Sequence, residues 1–169
     1  MVLQRPAVFF DRDGVLNIDH GYLYRQQDFE WMPGAMQAIK YFNDHDYLVF
    51  VVTNQSGIAR GYYTEADMHA LHRYMNGELS KFGAHIDAFY HCPHYLGGKE
   101  EQYSKACTCR KPAPGMIEQA FKEWDIQHER SFLIGDKPSD MQAAQAANVT
   151  GYLFQGGNLY DFIQALKID

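Results

Sequence analysis

Two carboxylates, Asp11 and Asp13, stand two residues apart, directly after the apolar run 7–10 and ahead of Gly14. Acids at that spacing leaving a strand can converge on one side of the chain. Their repulsion then calls for a cation, which for hard carboxylate oxygens is most naturally Mg²⁺. Gly14 allows the backbone turn that brings peptide groups close to a ligand. Alone, Asp-x-Asp-Gly serves equally as an Asx-rich turn that ends a strand. Polar clusters follow two further apolar runs: Thr53, Asn54, Gln55, Ser56 and Gly57 after 47–52, and Asp136, Lys137 and Asp140 after 131–134. With Lys111 at hand, these are the ingredients of Mg²⁺-assisted phosphoryl transfer. A separate constellation, Cys92, His94, Cys107 and Cys109, falls in the window 92–109. It supplies enough ligands for a tetrahedral Cys₃His zinc site with no open position, and a closed site is structural.

For the acid-bearing segments to meet, the elements must deliver them to one edge. The short, β-prone run 7–10 reads as a buried strand, 47–52 as the strongest strand, and 88–91, 131–134 and 152–154 as shorter ones. Between them lie helical stretches: 35–45 after Pro33-Gly34, 64–82 with Thr64 as N-cap, 115–124, 141–147 and 159–166. Strands alternating with helices predict a parallel α/β sheet. Ligands bind beyond the carboxyl ends of such strands, where segments distant in sequence come together.

A chain of 169 residues, 46% of them apolar, can build one substantial core, so a single domain spanning 1–169 is expected. The formal charge of −6 argues against nucleic acid or an anionic membrane as partner. Arg5, Pro6 and only a short apolar run open the chain, which is neither a signal peptide nor a spanning segment. A cytoplasmic location is expected, and the three clustered cysteines suit a reducing compartment and a metal site better than a disulfide framework. Nothing demands more than a monomer.

The segments Asp11-Arg12-Asp13-Gly14, Thr53-Asn54, Lys111 and Gly135-Asp136-Lys137-Pro138-Ser139-Asp140, in that order, resemble the four motifs of the haloacid dehalogenase-like phosphohydrolases. Asn17 to Tyr22, Thr53 to Gly61 and Cys109-Arg110-Lys111-Pro112 resemble the branch of that family acting on a seven-carbon sugar bisphosphate, and the likeness spans essentially the whole chain. The resemblance implies a three-layer, Rossmann-like parallel sheet without a cap domain, carrying a zinc-binding loop. It implies Asp11 as nucleophile, Asp13 as acid and then base, and Thr53 and Lys111 on the transferring oxygens. Mg²⁺ would sit on the Asp11 and Asp136 carboxylates and the Asp13 carbonyl. Asp19, His20, Gly21, Tyr22, Asn54, Gln55, Ser56, Arg110 and Lys137 fall on the sugar-phosphate side of the site. Lys137 and Asp140 suit orientation of the shell, and Asp140 equally suits a helix N-terminal acid favoured by the dipole. A zinc ion fixing Cys109 would also fix Arg110 and Lys111, which follow it.

His91 is left as an outer neighbour of the zinc loop or a surface residue. His45, His69, His72, His85 and His128 read as surface or packing residues. A phosphoacceptor receiver module also uses acids, Mg²⁺ and a lysine, but places its acceptor on a later strand. Within the enzymes the alternative is a histidinol-phosphate phosphatase with a similar zinc loop. The long stretch 95–106 favours instead a loop that reaches over the crevice towards a bisphosphorylated sugar.

Overall fold

The computed structural model describes residues 3–168. Five strands form one parallel sheet in the order β3-β2-β1-β4-β5: β1 Ala7–Phe10, β2 Leu48–Asn54, β3 Ala88–Cys92, β4 Phe132–Gly135 and β5 Thr150–Leu153. β1 lies at the centre, paired in register with β2 (Phe10↔Val51) and β4 (Phe10↔Ile134). It is apolar at all four positions because both of its faces are covered, as a central parallel strand requires.

Alternation along the strands splits the interior into two cores. Val8 and Phe10, with Val49, Val51 and Ile134, pack against helices α1 (Ala35–Asp44), α2 (Glu65–Lys81) and α5 (Leu159–Leu166). Ala7, Phe9, Phe50, Val52 and Leu133 face α3 (Gly115–Glu123) and α4 (Pro138–Ala146). The result is three layers, helices on both faces of the sheet. Neither long connection, 11–34 nor 93–114, contains more than a short 3₁₀ turn, Gln26–Asp28 or Glu101–Tyr103, and no cap covers the strand ends among the described residues. No helix of the described residues is long and apolar enough to cross a membrane.

Three elements differ by two or more residues from the bounds read in the sequence, the others by one at most, and two of the three bear on the site. β2 runs on through Thr53 and Asn54, which pair with His91 and Cys92 of β3, so these polar residues end a strand instead of opening a loop. α4 begins at Pro138, and Asp140 therefore lies in its first turn, with Oδ2 accepting from the amides of Asp136 and Lys137 at 3.1 Å. β5 is Thr150–Leu153, not 152–154: its register with β4 pairs Phe132 with Thr150 and Gly135 with Leu153, and Phe154 turns into the core beyond it. α2 opens as expected on a Thr64 and Asp67 capping box.

Candidate active site

The carboxyl ends of β1, β2 and β4 bring the acids together. Asp11 leaves β1 and is 6% exposed. Its Oδ1 accepts from the Arg12 amide at 2.9 Å and from Lys111 Nζ at 2.9 Å. Lys111 Nζ also reaches Asp140 Oδ1 at 2.6 Å and the carbonyl of Val52 at 3.0 Å. Carboxylate oxygens of Asp11, Asp136 and Asp140 all lie within 4.8 Å of one another. Close approach is built in at Gly14, where φ is +89° and a Cβ would sit 2.1 Å from Asp136 Oδ2.

The charge count here is unbalanced. Three carboxylates face one ammonium, and Asp136 Oδ1 is buried with no donor among the described residues. Burial, reinforced by Asp140 and only partly offset by Lys111, raises the Asp11 carboxyl well above its ordinary range. Burial also raises Asp136. For Lys111, burial works against the charge, but Asp11 and Asp140 outweigh it and hold the ammonium. Both Asp140 oxygens are taken, by Lys111 and by the amides of Asp136 and Lys137, which leaves Asp11 and Asp136 facing an all-oxygen site short of positive charge. That donor set fits a hard divalent cation such as Mg²⁺.

Asp13 is turned away from this cluster. Arg12, entirely buried, holds its carboxylate through Nη2 at 3.0 and 3.2 Å, Asn17 Nδ2 donates at 3.0 Å and Gln55 Nε2 at 3.3 Å. Gln55 also donates to Thr53 Oγ1 at 2.7 Å and accepts from the Tyr63 hydroxyl. The Thr53 hydroxyl, accepting from Gln55, keeps its proton for another acceptor. Asn54 is tied to Lys111 in both directions, its Nδ2 donating to the Lys111 carbonyl at 3.2 Å and its Oδ1 accepting from the Lys111 amide at 3.0 Å.

A cleft of about 600 Å³ opens over these groups. Of the residues expected on the substrate side, Asp19, Gly21, Tyr22, Asn54, Gln55, Ser56, Arg110 and Lys137 line it, together with Asp13 and Lys111. His20 does not; it lies 3.5 Å from Glu30 beside a neighbouring hollow. Arg60 and Tyr63 also line the cleft. Arg60 falls within the segment Thr53 to Gly61 that carries the resemblance but was given no role of its own there, and Tyr63, just beyond it, was not singled out.

The zinc-loop residues cluster too. The Sγ atoms of Cys92, Cys107 and Cys109 are 2.7 to 3.5 Å apart, and His94 Nδ1 is 3.6 and 3.4 Å from Cys92 and Cys109. All but the closer Cys92–Cys109 pair fall a few tenths of an ångström inside the roughly 3.8 Å that a tetrahedron of 2.3 Å Zn–S bonds sets, and the soft donor set fits Zn²⁺. Burial opposes ionisation of Cys107, but the Arg110 amide and the neighbouring thiols bring it down to about 6. All three cysteines are free thiols. His91 points elsewhere, to Glu65 Oε2 at 2.5 Å, and Tyr103 donates to Glu65 Oε1 at 2.8 Å, tying the loop to α2.

A family model described as HAD-hydrolase-like matches residues 108–160, the segment that carries Lys111, Asp136 and Asp140. Sheet order, acids at strand ends and this match together define the class, the haloacid dehalogenase-like hydrolases. A D-glycero-beta-D-manno-heptose-1,7-bisphosphate 7-phosphatase of Rhodopseudomonas palustris is 45% identical over 166 residues, covering 98% of this chain and 92% of that protein. The protein of the same name from Escherichia coli K12 is 44% identical over 144 residues, covering 85% and 75%. The crystal structure of D,D-heptose 1,7-bisphosphate phosphatase from B. bronchiseptica, complexed with magnesium and phosphate, matches with a TM-score of 0.78 at 33% identity, covering 97% of this chain and 88% of that one. This chain belongs to the heptose bisphosphate phosphatase family of haloacid dehalogenase-like hydrolases.

Proposed function

We propose that the chain is a Mg²⁺-dependent phosphatase that removes the C7 phosphate of D-glycero-beta-D-manno-heptose 1,7-bisphosphate, the substrate named for its relatives. The observation that carries this reading is the placement of Asp11, with Lys111 at 2.9 Å and the unmet oxygen of Asp136 nearby, beneath a cleft large enough for a sugar phosphate.

An oxygen of Asp11 attacks phosphorus in line, and the C7 oxygen departs with a proton from Asp13, leaving an aspartyl-phosphate. Asp13, now a carboxylate, takes a proton from the water that attacks this phosphorus. Inorganic phosphate leaves and Asp11 is restored. Arg12, Asn17 and Gln55 hold the Asp13 carboxyl in one orientation at the cleft. Lys111 and the Thr53 hydroxyl hold the transferring oxygens where charge redistributes. Mg²⁺, held by the Asp11 and Asp136 carboxylates and the Asp13 carbonyl, would shield Asp11 from the anionic substrate and polarise the phosphoryl group. Asp140 keeps Lys111 in place.

On the leaving-group side, Asp19 to Tyr22, Asn54, Gln55, Ser56, Arg110 and Lys137 would meet sugar and phosphate oxygens, with His20 at the rim of that loop. Cys92, His94, Cys107 and Cys109 would hold a structural Zn²⁺ that fixes Arg110 and Lys111 over the crevice. Free thiols serving as metal ligands fit a reducing, cytoplasmic setting for a monomeric, single-domain enzyme. The product, a sugar 1-phosphate, is the form that nucleotide activation consumes. Side-by-side kinetics on the heptose bisphosphate and histidinol phosphate test the assignment. A site whose polar groups match one substrate and are left unpaired by the other should favour the bisphosphate by about 10²-fold or more in kcat/KM. Equal or better turnover of histidinol phosphate contradicts it.

A further inference from the structure

Two basic residues of the site have carboxylate partners. Lys111 is held by Asp11 and Asp140, and Arg12 by Asp13. The half-buried Arg60 side chain meets no carboxylate and no hydrogen-bond acceptor among the described residues, and its Nε is buried without a partner. What holds it is aromatic: its guanidinium lies 3.9 Å over the Tyr95 ring and 5.5 Å from that of Tyr22. Arg110 is within 5.3 Å of the same Tyr95 ring, and its guanidinium donates to the His94 carbonyl at 3.4 Å. Two like charges thus share one ring, neither with an anion, and both line the cleft.

The arrangement is anchored by backbone. The Arg60 amide donates to the Ser56 carbonyl at 3.0 Å, and the Glu100 amide to the Ala59 carbonyl at 2.8 Å. A Cβ on Gly98 would lie 2.6 Å from that Ala59 oxygen, so the arm carrying Tyr95 docks directly on the turn carrying Arg60. A guanidinium stacked by its face keeps its edge donors for a ligand in the ring plane, and planar donors match two phosphate oxygens at once. Removing an unpaired cation from water is unfavourable unless an anion joins it.

We propose that Arg60, backed by Tyr95 and joined by Arg110, binds the phosphate that is not cleaved, and so selects bisphosphorylated over monophosphorylated sugars. This rests on the bisphosphate reading above. Arg60 is then a specificity-determining residue. It touches no reacting atom, and its contribution belongs to binding of the intact substrate and of the 1-phosphate product.

The test compares kcat/KM for heptose 1,7-bisphosphate with that for heptose 7-phosphate in wild type, Arg60→Met and Arg60→Lys. Arg60→Met should lower the bisphosphate-to-monophosphate ratio by roughly 10- to 100-fold, chiefly through KM, and Arg60→Lys should restore part of it, since an ammonium keeps the charge but loses the fork. Affinity for heptose 1-phosphate, measured by calorimetry without turnover, should fall by a similar factor. A wild type that discriminates, paired with variants whose ratio and product affinity are unchanged, overturns this site alone. A wild type indifferent to the second phosphate overturns the bisphosphate reading along with it. Should Arg60→Met fail to fold, Arg60→Lys decides by the same two readouts.

Discussion

Lys111 Nζ donates to Asp11 Oδ1 at 2.9 Å across one hundred residues of chain, and both groups are almost wholly buried. The pair does not neutralise the site, because Asp136 and Asp140 crowd the same space. That excess is the physical reason for the cation, and it gives a prediction for Asp11→Asn. An amide is a poor nucleophile and a weaker Mg²⁺ ligand, so turnover should fall by at least about 10³-fold. Without metal the variant should melt at or above the wild-type temperature, since one uncompensated charge is gone. Millimolar Mg²⁺ should raise the wild-type Tm by mass action and leave the variant's nearly unmoved. Near-normal phosphate release by mass-verified Asp11→Asn would remove the phosphoenzyme from the account.

Asp140 joins structure to chemistry. One oxygen holds Lys111 at 2.6 Å and the other accepts from two amides of the α4 entry, at 1% exposure. Asp140→Ala leaves a buried ammonium and two amides short of acceptors, and should cost about 2–4 kcal/mol in urea unfolding. Asp140→Asn keeps an acceptor for part of this set and should cost less. Equal stabilities for the two variants would contradict the double role.

His72 supplies a pH dependence. Arg12 Nη1 lies 3.2 Å from His72 Nε2, and an arginine only donates, so the imidazole is neutral with its proton on Nδ1. Burial first, then the Arg12 charge and the imidazoles of His91 and His69, push it well below its ordinary value of 6.5. The unfolded chain takes up a proton below about pH 6.5 that the folded chain refuses. This group's contribution to stability is therefore present above 6.5 and falls as the pH drops below it, by up to about 1.4 kcal/mol per pH unit. Urea unfolding at pH 7.5 and 5.5 should show a shallower loss in His72→Gln, whose carbonyl can still accept from Arg12. Parallel losses would show that His72 is not the source.

The zinc loop should carry about one zinc per chain through desalting, while Mg²⁺ washes out, because the first is held by thiolates and imidazole and the second by oxygens. Cys107→Ser should lose the zinc, lower the Tm and reduce kcat/KM, since Arg110 and Lys111 follow directly on Cys109. Elemental analysis of reduced protein that finds no zinc would refute the site.

Much of this architecture is legible in the sequence. The short apolar runs at 7–10 and 132–134 read as buried strands, and acids close behind them fall at one edge of a parallel sheet. The Cys92 to Cys109 spacing pointed to a metal by ligand type alone. Arg12 was not legible: a cation between two acids reads as a solvated charge, and its burial depends on His72 and the Leu23 carbonyl, which no local pattern links to it. Tyr63 was missed, and Arg60 given no role within its motif, for a similar reason, since an aromatic or basic residue in a turn has no periodicity to mark its face. Asp140 suited two roles in the sequence, and the structure gives it both an α4 capping contact and a Lys111 contact because its two oxygens face opposite ways.

The most direct measurement is phosphorus NMR of the product formed from D-glycero-beta-D-manno-heptose 1,7-bisphosphate with Mg²⁺ present. If Asp11 attacks the C7 phosphate while the other phosphate rests on Arg60 and Arg110, the spectrum should show one inorganic phosphate per sugar and an intact anomeric 1-phosphate. Loss of the C1 phosphate, or no release at all from a folded, Mg²⁺-supplied enzyme, would contradict the account.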